Sequence, residues 1–177
     1  MQQRARSFIL TAMFATMMAV SAYLHIPLPW IPLTLQTFVL VCAANFLSPN
    51  WAAVSQLLYL LLGLTGLPIF SGGGGLAAVV SPSFGYLLSF PLIAWLISHS
   101  QHRFRPTSFG VRWTINFCGL ILTLILGVLW LYFMAPIWTG NTISPQGAWI
   151  YGAAIFLPGE MIKSLFATIV IDKLRDF

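Results

Sequence analysis

The amino-acid sequence predicts an all-α integral membrane protein. It reads as one membrane domain over residues 1–177, with six transmembrane helices and both termini in the cytoplasm. Three observations lead there. The chain is 59% hydrophobic and only 6% charged, with a mean hydropathy of +0.89. A soluble domain carries about 25% charged residues, so this chain has too little charge to coat a water-facing surface and must be solvated by lipid. The apolar residues fall in six runs separated by proline and glycine. The basic residues gather at three places that six crossings put on one side of a bilayer.

Each element follows from its boundaries. Helix 1 covers about 7–24. Arg4 and Arg6 before an apolar run imitate a secretory signal. The run is long for one, no small-x-small cleavage site follows and further spans come after it, so a retained helix is expected. Pro27, Pro29 and Pro32 then favour extended chain. Helix 2, short, covers 33–47. Ser48, Pro49 and Asn50 turn the chain into helix 3 at 51–67, which Gly66 and Pro68 end. Helix 4 covers 84–98 and helix 5 covers 112–135, with Pro136 and the polar stretch 139–147 behind it. Helix 6 covers 148–172.

Orientation comes from Lys and Arg. Arg4 and Arg6 precede helix 1; Arg103, Arg105 and Arg112 lie in or beside the link between helices 4 and 5; Lys173 and Arg175 follow helix 6. The three links on the other side contain no Lys or Arg, so these clusters face the cytoplasm. The net charge of +5 thus reflects membrane flanks rather than a nucleic-acid surface. Trp30, Trp138 and Trp149 fall near the outer boundary, and Trp51, Trp95 and Trp113 near the inner one, as aromatic belts do.

Within the last span stand Glu160 and Lys163. Either charge alone costs roughly 2.5–3.5 kcal/mol at the centre of a membrane helix. Three residues apart, they share a helix face and can neutralise each other. Ionisable residues inside a membrane mark functional sites, and a purely structural ion pair is the plainer alternative. Pro158 and Gly159 directly precede Glu160, either as a simple kink or as a helix break that frees backbone groups for a substrate. Gly73, Gly74 and Gly75 belong to an external four-glycine loop that can offer backbone N–H groups, or else is only a connector. It lacks the Gly-Lys-Ser/Thr ending of a nucleotide loop. Gln36, Phe84 and Tyr86 lie at outer helix ends. Ala12, Ala15, Ala19 and Ala22 form a stripe of small residues on helix 1, suited to packing within the chain or to docking a partner.

Several chemistries find no support. His25, His99 and His102 lack partners at metal-ligand spacing, so no metal is expected. Cys42 and Cys118, each inside an apolar run, read as buried free thiols. No hydrolase or metalloprotease motif occurs, so no catalytic residue or cofactor is assigned and the chain is read as a non-enzyme.

Longer stretches resemble the BioY family. Pro27 and Pro29, then Pro32, Thr34, Gln36 and Thr37, are similar to its Pro-rich entry and P-x-T-x-Q-T segment. Tyr59, Gly63, Gly66, Pro68 and Phe70 match its Y-L-L-L-G-L-x-G-L-P-x-F run. Pro158, Gly159, Glu160 and Lys163 match P-G-D-x-x-K, with glutamate in place of aspartate. The resemblance implies the S component of an energy-coupling factor (ECF) transporter in the bacterial plasma membrane. Such a component captures biotin in an outward-side pocket and works with a transmembrane T component and ATPase subunits. It also implies that Ala15 and Ala19 form the small-x-x-x-small contact for that module. Glu160 and Lys163 suit the ureido group and anionic tail of biotin, with Gln36, Tyr86, Phe84 and the loop glycines completing the pocket. The competing reading is a self-sufficient proton-coupled transporter of another small solute, with Glu160 carrying the proton. A small membrane enzyme using Glu160 and Lys163 is a third.

Overall fold

The structure, a computed structural model, describes residues 2–28, 31–140 and 142–175, with backbone only for residues 2, 3, 138, 139 and 175. Pro29 and Trp30 lie outside the described residues, as do the side chains of Trp138 and Arg175. The helices are α1 (Gln2–Tyr23), α2 (Gln36–Phe46), α3 (Pro49–Leu64), α4 (Phe84–Phe104), α5 (Phe109–Thr139), α6 (Pro145–Trp149) and α7 (Leu157–Arg175). A π-helical turn, Ile150–Ala154, joins α6 to α7, so these three pieces make one sixth span. Three stretches, Arg4–Tyr23, Phe109–Ile137 and Pro145–Leu174, are long and apolar enough to cross a membrane by length and composition alone.

The helix ends differ from the sequence expectation for local reasons. α4 runs on past residue 98 to Phe104. Its polar end stays helical because Ser98 and Gln101 are buried and bonded: Ser98 Oγ donates to the Leu47 carbonyl at 2.7 Å, and Gln101 Nε2 to Asn116 Oδ1 at 3.0 Å. α5 extends through Pro136 to Thr139. In the last span the break precedes Pro158, at the π-helical turn Ile150–Ala154 and the turn residues after it. Pro158 sits in the first turn of α7, where a missing N–H leaves no helical bond unmade.

α2 positions everything else. Nine of its 11 residues are buried. A helix enclosed on all sides is apolar all round, which explains its lack of amphipathic pattern. At 11 residues it spans about 16 Å, half the thickness of a hydrocarbon core. The space beyond its outer end is covered by a small hairpin in which β1 (His25–Ile26) pairs antiparallel with β2 (Leu33–Thr34). α4 and α5 approach closely through glycine. A methyl on Gly85 would stand 2.0 Å from Trp130 Cβ, and one on Gly127 would stand 2.1 Å from the Tyr86 ring.

The inner end of the bundle is tied by polar groups. Asn116 Oδ1 accepts from Asn45 Nδ2 at 2.9 Å and from Gln101 Nε2, while its Nδ2 donates to Thr168 Oγ1 at 3.0 Å. One buried side chain thereby joins α2, α4, α5 and α7. Arg112 forms an ion pair with Asp172 just below. Trp95 Nε1 donates to Asn50 Oδ1 and Trp113 Nε1 to Ser164 Oγ, so these tryptophans fasten helices together. Cys42 is buried, but Cys118 is exposed, correcting the expectation for the second thiol. Only part of α5 is buried, and apolar surroundings read from sequence can be lipid as readily as protein.

Candidate substrate-binding site

A cavity with about 50 Å³ of room lies under the hairpin, at the outer end of α2. Its floor is Glu160 and Lys163 from the first turns of α7. Glu160 Oε1 accepts from Lys163 Nζ at 2.6 Å, and the ammonium also donates to the Thr34 carbonyl of β2 at 3.0 Å. Both residues are buried, Glu160 at 3% exposure and Lys163 at 8%. The carboxylate sits where the helix N-terminus is positive, which favours it. Glu160 Oε2 is buried with no hydrogen-bond partner among the described residues. Such an acceptor is costly unless something donates to it.

The wall beside this pair is a hydrogen-bond relay. Thr34 Oγ1 donates to Gln36 Oε1 at 3.0 Å, and Gln36 Nε2 donates to Tyr59 Oη at 2.8 Å. Tyr59 Oη in turn donates to the Ile69 carbonyl at 3.1 Å. The relay fixes the amide orientation of Gln36 and links hairpin, α2, α3 and the following loop. Opposite, Tyr86 lines the cavity with its ring while its hydroxyl donates to the Gly152 carbonyl at 2.5 Å. That carbonyl belongs to the π-helical turn, so the irregular backbone there serves to seat Tyr86. Phe90, Leu124 and Phe156 supply apolar wall, and Thr37, Ser71, Ser83 and Thr123 supply hydroxyls. Apolar surface with few placed polar groups is the usual make-up of a small-molecule site.

Of the residues singled out from sequence, the cavity gathers Glu160, Lys163, Gln36 and Tyr86. It does not gather Phe84, which is buried against Trp130 with ring centroids 5.6 Å apart. Nor does it gather Gly73, Gly74 or Gly75. Gly73 N–H donates to the Phe70 carbonyl and Gly75 N–H to the Gly63 carbonyl, so these amides hold their own loop together. The loop instead contributes Ser71 to the cavity. Thr34 and Thr37 were visible as the threonines of the quoted P-x-T-x-Q-T segment. Thr123 and Phe156 left no sequence signal, since each sits in an unremarkable apolar run. Ala15 is buried at 5% exposure and Ala19 is partly buried against the core, so at Ala15 the small side chain already serves packing inside the chain. No group of three or more His, Cys, Asp or Glu among the described residues could hold a metal.

A six-span helical bundle with a buried ion pair under an extramembrane cover defines a class: multi-pass membrane proteins that hold a small solute between their helices. Within it, the chain belongs to the BioY family, whose model matches residues 1–177. It is 32% identical over 173 residues to the "Probable biotin transporter BioY" of Lysinibacillus sphaericus, covering 98% of this chain and 88% of the relative. It is 35% identical over 164 residues to "Biotin transporter BioY2" of Lactococcus lactis subsp. cremoris, covering 92% and 86%. The crystal structure of the S-component for biotin from an ECF-type ABC transporter superposes with a TM-score of 0.88 at 25% identity, covering 99% of this chain and 94% of that one.

Proposed function

We propose that this chain is the biotin-binding subunit of a biotin uptake transporter in the plasma membrane. It captures the vitamin from outside and releases it inward when a partner module of T component and ATPases supplies the energy. The observation that carries this reading is the unpartnered Glu160 Oε2 at the floor of a cavity in a BioY-family fold. A carboxylate oxygen accepts hydrogen bonds, and the ureido group of biotin carries N–H donors. Lys163, fixed by Glu160 and the Thr34 carbonyl, retains donor capacity for the ureido oxygen or the acidic tail. Tyr86 and Phe156 offer flat apolar surface to the ring system.

Room of about 50 Å³ is far below the roughly 300–1,000 Å³ of ligand-filled pockets. Entry of biotin therefore requires the hairpin and the Ser71–Ser83 side of the cavity to move apart. Both segments lie outside the α-helices, the second holding only a short 3-10 turn at Leu76–Val80, so they can shift without unmaking α-helical hydrogen bonds. Titration of the purified, detergent-solubilised chain with biotin and with a panel of other vitamins tests the proposal. Saturable binding of biotin alone supports it. Equal binding of an unrelated vitamin, or none of biotin, sinks it.

A further inference from the structure

We propose that a cleft at the cytoplasmic rim holds the phosphate of an anionic phospholipid. The cleft, about 520 Å³, lies between the start of α1, the α2–α3 turn and the end of α4. Its polar end is formed by Arg6, Ser7, Ser48 and His102, its apolar end by Leu10 and Phe46. A second cleft of about 270 Å³ shares His102 and adds Arg105. The graded lining matches an amphiphile whose phosphate meets cations while its chains run along apolar side chains toward the bilayer. Phe8 and Ile9, on the same part of α1, are exposed, so the cleft opens at the lipid boundary rather than in the bundle interior.

The walls are fixed by buried bonds. Ser98 Oγ donates to the Leu47 carbonyl at 2.7 Å, and His102 Nδ1 lies 2.8 Å from the Ser98 carbonyl. A carbonyl only accepts, so Nδ1 carries the hydrogen in that bond and the ring is held at the cleft wall. Among the described residues no carboxylate lines either cleft. On this face Asp172 is the sole described acid, and it is paired with Arg112. Among the described residues the clefts therefore present positive charge with no acid beside it to a leaflet whose anionic lipids attract it. A free phosphate would satisfy the cations but leave uncovered the part of Phe46 that its stacking on Phe14 leaves exposed, which favours the lipid.

The delipidated chain in detergent is titrated with phosphatidylglycerol, with phosphatidylcholine of the same chain length, and with glycerol phosphate, and adducts are read by native mass spectrometry. Phosphatidylglycerol should bind in preference to phosphatidylcholine. Arg6→Gln and Arg105→Gln, tested singly because both side chains are exposed and spare the fold, should each weaken it roughly fivefold. Arg103→Gln, on the same face but outside both clefts, should leave it unchanged, and melting temperatures should match the parent. Equal binding of the two lipids, or equal loss in Arg103→Gln, overturns the proposal in favour of unspecific charge. Full displacement of the lipid by equimolar glycerol phosphate overturns it in favour of a free phosphate.

Discussion

Glu160 and Lys163 make separable contributions, because one oxygen of the carboxylate holds the ammonium and the other has no partner among the described residues. Glu160→Gln keeps an acceptor for Lys163 but turns the remaining position into an amide NH2, which donates and does not accept. Biotin affinity should fall roughly ten- to a hundredfold, the worth of one charged hydrogen bond at about 1.5–3 kcal/mol, as isothermal titration would show. Lys163→Met strands a buried carboxylate and should destabilise the fold by about 3–5 kcal/mol. The double variant should recover much of that stability without recovering binding. If stability losses simply add, the two residues are not coupled as their 2.6 Å contact implies. Glu160→Asp, restoring the residue type of the family motif, should preserve binding. The ion pair was legible in sequence because charges inside an apolar span stand out. Thr123 and Phe156 beside it were not, because a hydroxyl that bonds back to its own helix, as Thr123 does to Gly119, is unexceptional in any membrane helix, and a phenylalanine in an apolar run is equally so.

At the level of the helices, α1 separates packing from docking. Ala15 and Ala22 face the interior, whereas Ala12 is exposed. Ala15→Trp should therefore lower the melting temperature or prevent folding, through overpacking that costs about 1–3 kcal/mol or more. Ala12→Trp should leave biotin binding and stability intact while reducing uptake in cells that carry the partner module. Uptake unaffected by Ala12→Trp would remove this edge of α1 from the docking surface. The stripe was readable from its spacing, but spacing cannot say whether a neighbour is the same chain or another. Helix number was likewise readable, and helix ends were less so. Gln101 looks like a loop residue until its partner Asn116, 15 residues away in sequence, is known.

Taken whole, the bundle has a polar inner end locked by Asn116 and an outer end closed only by a hairpin and loops. Asn116→Leu removes bonds to α2, α4 and α7 together. With about 0.6 kcal/mol for each such bond in a membrane protein, it should cost about 2 kcal/mol, read as earlier unfolding in a denaturing detergent, while biotin affinity changes little. The six-span topology puts Gly72 outside and Arg103 inside. Gly72→Cys should react with a membrane-impermeant maleimide in intact cells, and Arg103→Cys only after permeabilisation. The reverse pattern would invert the orientation. Basic clusters and span parity made that orientation legible, while the cavity itself was not, since it arises from the shortness of one enclosed helix among longer ones. The bond from Lys163 to the Thr34 carbonyl bridges 129 residues. During synthesis, β2 is therefore delivered to the membrane well before the ribosome makes its cation. The final span leaves the translocon into a bilayer where an acceptor already waits, so a chain assembled without its first two helices would abandon that ammonium in hydrocarbon and become a substrate for quality-control proteolysis.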